Sequence, residues 1–148
     1  MATLLNQTGT LYPAFQPMPK TVGVLRNIIT LGTADVGNAG TVIVGYVPAN
    51  SIVLDAVMTL TDVDTGAAFV CALGDTGDVD RFINGATTGQ SAGTVRAGNN
   101  ATSAASFAAH TAYTAKTAII FNTITAAATA AAGTASVSVL YFTQEPQV

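Results

Sequence analysis

Asp-Thr-Gly occurs twice in this chain, as Asp64-Thr65-Gly66 and Asp75-Thr76-Gly77, and these are the most tempting residues for chemistry. A carboxyl in such a tripeptide can be one half of the proton-sharing dyad with which aspartic proteases cleave peptides. Two copies 11 residues apart cannot furnish the two lobes of one active site, so a protease would have to be a homodimer that pairs Asp64 from each chain. The apolar-apolar-Gly element that braces such a loop is also missing, because Ile119-Ile120-Phe121 runs into Asn122. Asp, Thr and Gly are equally the residues that tight turns demand. The turn reading is preferred, with the homodimeric aspartic protease kept as an alternative.

Cation binding is a second possible chemistry. Asp75, Asp78 and Asp80, with Asp62 or Asp64 across a hairpin, could offer the several carboxylate oxygens that a hard cation wants. The EF-hand pattern fails, since its bidentate glutamate would fall at Ala86, and Arg81 can neutralise part of the cluster. A solvated turn with local ion pairing is expected, and no metal or other cofactor. Gly93-Thr94-Val95-Arg96-Ala97-Gly98 has the glycine spacing of a phosphate loop, but Asn99 and Asn100 replace the Lys and Ser/Thr that grip phosphate and magnesium. A strand–loop–helix context is not expected there either. His110, the single histidine, has Ser103 and Ser106 nearby in sequence but neither a matching acid nor a nucleophile elbow. It reads as an ordinary surface or interface residue. Cys71 is alone, which rules out an intramolecular disulfide and a cysteine-based zinc site. It is expected in the core.

Composition bounds the rest. The 148 residues predict one domain. Charged residues are only 9% of the chain, and 27 Ala, 23 Thr and 14 Gly supply 64 positions. Five scattered cations cannot form the basic stripe that phosphate neutralisation requires, so no nucleic-acid partner is expected. Thr, Ser, Gly or Asn interrupts every apolar run before membrane-spanning length, so no membrane association is expected. Residues 1–7 lack the basic and apolar regions of a signal peptide, which predicts synthesis in a cytoplasm.

The elements that must position these residues follow a period of two. From Ser51 to Thr61, Ile52, Leu54, Ala56, Met58 and Leu60 are expected on one face of a strand, and Ser51, Asp55, Thr59 and Thr61 on the other. Val22–Leu31, Thr41–Val47, Ala67–Leu73, Thr117–Thr125 and Ala135–Tyr141 read as further strands, rich in β-branched and aromatic residues. Turn-forming clusters at 32–40, 62–66, 74–80, 85–93 and 98–100 divide them. Six or more such strands predict an all-β fold, a single-domain antiparallel β-sandwich over residues 21–148. Residues 126–132 are expected to be a loop or one helical turn, and 101–115 stay ambiguous.

Residues 1–20 differ from the rest. Pro13, Pro17 and Pro19, with Tyr12, Phe15 and Met18 between them, cannot occupy a central strand and favour an extended arm. Such an arm could strap its own sandwich or reach a neighbouring subunit. Tyr12, Pro13, Phe15, Pro17 and Met18 are the candidate contact residues.

One stretch carries a family resemblance. Val42-Ile43-Val44-Gly45-Tyr46-Val47-Pro48-Ala49-Asn50-Ser51-Ile52-Val53-Leu54-Asp55-Ala56-Val57 resembles an element of small β-rich virion proteins of tailed bacteriophages, in which a strand leads through Val-Pro-Ala-Gly into a long alternating strand. The apolar run Ala67 to Leu73, the turn at Gly74-Asp75 and the closure Asp80-Arg81-Phe82-Ile83 are similar to that group's next strand, Gly-Asp/Thr turn and Asp-x-Phe closure, with a weaker echo at 134–142. Asn50 stands where glycine is usual, and asparagine can still adopt a left-handed conformation. The resemblance implies a jelly-roll-like sandwich and a non-enzymatic role as a capsid decoration, or cement, protein or in a related part of the virion. Such a protein would sit on the outer surface of the virion, bind major capsid subunits and, by symmetry matching, form a homotrimer. No catalytic residue transfers. A receptor- or carbohydrate-binding module of a tail or fibre is the alternative, disfavoured because there is no Trp and aromatics are 7% of the chain.

Overall fold

A computed structural model describes residues 21–144. Tyr12, Pro13, Phe15, Pro17 and Met18, the candidate contact residues, lie outside the described residues, as does the chain after Gln144. The alternating segments form eight strands: β1 (Thr21–Leu31), β2 (Gly40–Val47), β3 (Ser51–Leu60), β4 (Val70–Asp75), β5 (Asp78–Ala86), β6 (Gly93–Arg96), β7 (Thr117–Thr125) and β8 (Gly133–Thr143). Two short helices accompany them, α1 (Thr33–Val36) and α2 (Ala101–Ala108). Four strands make one antiparallel sheet in the order β1-β8-β3-β6, and four make a second in the order β2-β7-β4-β5. Strands on the way out pair with strands on the way back: β1 with β8, β2 with β7, β3 with β6 and β4 with β5. The chain is thus an eight-strand hairpin rolled into a sandwich.

The two inner faces share one core. Phe69, Phe82 and Phe121 are its largest buried side chains, with Leu31, Met58, Leu60, Leu73, Ile83 and Ile119 around them and Val137 and Val139 supplied by β8. Fully burying side chains of this size contributes about 1.5–3 kcal/mol each. Cys71 lies within this core as expected, its Sγ donating to the Ala86 carbonyl at 3.6 Å.

Several expectations change in the fold. Alternation alone puts Ile52 and Leu54 inward, but a bulge in the β3–β8 pairing between Val53 and Asp55 exchanges the faces. Ser51 and Val53 point in before the bulge and Ala56, Met58 and Leu60 after it, so Leu54 is exposed. β4 begins at Val70 rather than Ala67, because Ala67 has φ +58° and the amides of Ala68 and Phe69 bond the Asp64 carboxylate instead of a strand. β5 takes in turn formers at 78–80 and 85, and β6 starts at the end of the 85–93 cluster. Residues 101–108 are helical because Asn100 caps them: its Oδ1 accepts from the amides of Thr102 and Ser103, both at 3.1 Å, while Ser103 Oγ accepts from the Asn100 amide at 3.4 Å. Residues 126–132 form a loop with one isolated bridge, Asp64 to Ala130. Asn50 has φ +59°, the left-handed turn its residue type allows.

The sheets touch at one open edge. A bulge in β2 between Ile43 and Gly45 frees the Val44 carbonyl, which accepts from Asn27 Nδ2 of β1 at 2.7 Å. A Cβ on Gly45 would stand 2.7 Å from Leu25 Cδ1, so a side chain there would have to push Leu25 aside.

Candidate functional site

Both Asp-Thr-Gly tripeptides serve as turns. Asp64 is fully buried, and its carboxylate accepts four backbone amides: Ala68 at 2.6 Å, Phe69 at 2.7 Å, Gly66 at 2.8 Å and Thr129 at 2.9 Å. Burial alone would raise its pKa, but the four donors outweigh that and hold the carboxyl below the usual carboxylate range. Both oxygens are occupied, so the group binds its own loop and the distant loop before β8 rather than a substrate.

Asp75 repeats the pattern and adds side chains. Its Oδ1 accepts from the amides of Gly77 at 2.8 Å and Asp78 at 3.0 Å. Its Oδ2 accepts from Arg81 Nε at 2.6 Å and from the Tyr113 hydroxyl at 2.7 Å. Asp75 is 1% exposed and therefore acts as a paired internal anion. Asp78 accepts from Ser106 Oγ at 2.5 Å, which ties α2 to β5. Asp78 and Asp80 bond each other, which lowers the first carboxyl and raises the second. Among the described residues no three His, Cys, Asp or Glu side chains are grouped to hold a metal. The three aspartates lie together, but their oxygens face Arg81, Tyr113, Ser106 and one another.

The glycine-spaced loop does lie in a strand–loop–helix context, contrary to expectation: β6 passes through Gly98, at φ +73°, into α2. No phosphate cradle results, because the first helical amides are taken by the Asn100 side chain. Asn99 and Asn100 themselves grip Asn84 of β5, Asn99 Oδ1 accepting from the Asn84 amide at 2.9 Å and Asn99 Nδ2 donating to its carbonyl at 2.8 Å. His110 is half-buried rather than a surface residue. Its Nε2 accepts from the Val53 amide at 3.3 Å, its ring centroid lies 4.6 Å from that of Tyr113, and neither serine is its partner. Burial first, and Arg81 second, lower its pKa against the pull of Asp75.

The surface feature that sequence reasoning missed is apolar. On the outer face of the first sheet, Val22 and Ile52 flank Phe142 in one row across β1, β8 and β3, and Val24 stands beside Leu140 in the next, with Leu54 at the bulge alongside. Val22, Val24 and Leu54 are 60%, 58% and 48% exposed. Further along the same face polar and apolar residues mix: Arg26, Ser138 and Val57 form the next row, and beyond it Ile28, 63% exposed, stands with Ser136 and Thr59. There Arg96 of β6 forks onto Asp55, Nη2 to Oδ2 at 2.6 Å and Nε to Oδ1 at 3.0 Å. No described helix is long and apolar enough to cross a membrane.

No protein-family model matches the chain, and no curated protein matches it. Solved structures do. A chain in the capsid of Ralstonia phage GP4 superposes with a TM-score of 0.68 at 24% identity, over 86% of each chain. One in the capsid asymmetric unit of cyanophage Pam1 gives 0.61 at 23% identity, over 84% of this chain and 86% of that one. One in the acid-stable capsid of Helicobacter pylori bacteriophage KHP30 gives 0.58 at 10% identity, over 83% and 90%. These likenesses concern the fold.

Proposed function

We propose that this chain is a non-enzymatic structural protein of a bacteriophage virion, a decoration protein that seats between major capsid subunits on the outer surface of the head and stabilises it. The observation that carries this reading is the end-to-end likeness of the sandwich to chains of three phage capsids. The strand orders 1-8-3-6 and 2-7-4-5 are read as a jelly roll, an architecture recurrent in viral capsid domains. Chemistry agrees with it. The acids and the histidine that might have formed a site instead hold turns, strands and one helix together. A surface with little charge loses little hydration free energy when it is covered by neighbours. An accessory protein on threefold positions of a shell matches their symmetry as a homotrimer.

The test is to add purified protein to undecorated capsids and measure co-sedimentation, beside a truncation lacking residues 1–20. The intact chain is expected to pellet with the shells and the truncation to pellet poorly. Failure of the intact chain to bind overturns the reading, and equal binding by the truncation removes the arm from the capsid contact.

A further inference from the structure

We propose that residues 1–20 of one subunit lie across the outer face of the first sheet of a neighbouring copy, on the patch of Val22, Val24, Ile52, Leu54 and Leu140. The inference rests on the self-association proposed above and names the surface that receives the arm. Three branched apolar side chains about half or more exposed, Val22 and Val24 on β1 and Leu54 on β3, with Leu140 of β8 and Ile52 of β3 beside them, form the kind of patch that soluble domains keep for a partner. The Arg26 and Ser138 row separates the patch from Ile28, which stands with Ser136 and Thr59, so the two apolar rows make an area that a short segment can cover.

The arm matches that patch in chemistry. Residues 1–20 include Leu11, Tyr12, Phe15 and Met18, and Lys20 is their only charged side chain. Three prolines deny the arm the ladder of amides that would extend the sheet, so it would bind by laying side chains on the face.

Length and attachment decide between a neighbour's patch and its own. The arm joins the sandwich at Thr21, which pairs with Thr143 at the end of the sheet just beyond the Val22 row. To cover its own patch the chain would have to double back at Pro19-Lys20. Proline fixes its own φ and holds the preceding residue extended, so Gln16-Pro17 and Met18-Pro19 favour continuing outward. From Tyr12 to Lys20 a polyproline-like path covers about 25 Å, at roughly 3.1 Å per residue, more than the roughly 10 Å across β1, β8 and β3.

Disulfide trapping between two differently marked populations tests this. One carries Phe15→Cys, the other Leu54→Cys, and they are co-expressed and oxidised; native Cys71 is buried and stays silent. A two-chain band on a non-reducing gel is expected as the main product. It should be far weaker when Leu54→Cys is replaced by Ile28→Cys, on the same face outside the patch. Light scattering on the same samples separates the two ideas. An oligomer with no band, or with equal bands for both partners, overturns the arm's placement and leaves the proposed assembly standing. A band that forms only within single chains carrying both Phe15→Cys and Leu54→Cys also overturns it, since the arm then folds back on itself. A monomer at all concentrations overturns this inference together with solution self-association.

Discussion

Asp75→Asn separates a structural latch from a free cation site. In the wild type four donors reach this carboxylate within 3.0 Å: the Gly77 and Asp78 amides on one oxygen, Arg81 Nε and the Tyr113 hydroxyl on the other. Asparagine keeps one oxygen for the two amides but turns an NH2 group toward Arg81 Nε–H, donor against donor. Losing a hydrogen bond to a charged partner costs about 1.5–3 kcal/mol, and removing one member of a buried ion pair about 3–5 kcal/mol. Arg81 is 22% exposed and still has Asp78 at 3.9 Å, so water and that neighbour soften the loss. The worked value is about 3 kcal/mol, a large share of the roughly 5–15 kcal/mol by which domains are stable. In urea, with a slope of about 1–3 kcal/mol per molar, the midpoint should fall by about 1–3 M. Tyrosine fluorescence or circular dichroism reads this, beside wild type with and without calcium chloride. A loss below about 1 kcal/mol, or a wild-type midpoint that climbs with calcium, would refute the latch.

Other outcomes rest on the same geometry. Asp64→Asn should lower the urea midpoint at neutral pH and flatten the acid limb of the stability curve: the carboxyl titrates near 3.8 when unfolded and lower when folded, so its contribution is present above pH 4 and lost as pH falls below it. Burial pushes the Cys71 thiol up to about 12, so Ellman's reagent at pH 8 should find no reactive thiol in the native protein and one per chain in urea. The fold lowers the pKa of His110, by burial first, while the unfolded histidine takes a proton near pH 6.5, so the unfolded chain binds more protons and acid favours unfolding as pH drops through that value. His110→Gln, which keeps an acceptor for the Val53 amide, should flatten that limb in denaturation midpoints measured from pH 7 to 5.

What the sequence discloses depends on whether local residues decide the outcome. Thr117–Thr125 is legible because its run of β-branched residues suits a strand whatever surrounds it. Asp64 and Asp75 are legible as turns for the same reason, since each bonds the amide two residues on. β5 is not, because Asp78 and Asp80 are turn formers held in a strand by tertiary pairing with β4, and Gly85, at φ +65°, sits in a bulge of that pairing. The partners of Asp75 are equally non-local: Tyr113 lies 38 positions away. Leu54 shows the limit most sharply. Alternation puts it in the core, and a one-residue bulge carries it to the surface beside residues of β1 and β8 from the two ends of the described chain. The apolar patch therefore exists only once the long-range pairings are made, and no window of sequence contains it.

The central claim is that this chain works as a shape on a shell. Cryo-electron microscopy of undecorated capsids incubated with excess protein tests it most directly. The account predicts added density, fitted by the eight-stranded sandwich, in groups of three at symmetry-related positions on the outer surface. Shells that remain bare at saturating protein would contradict it.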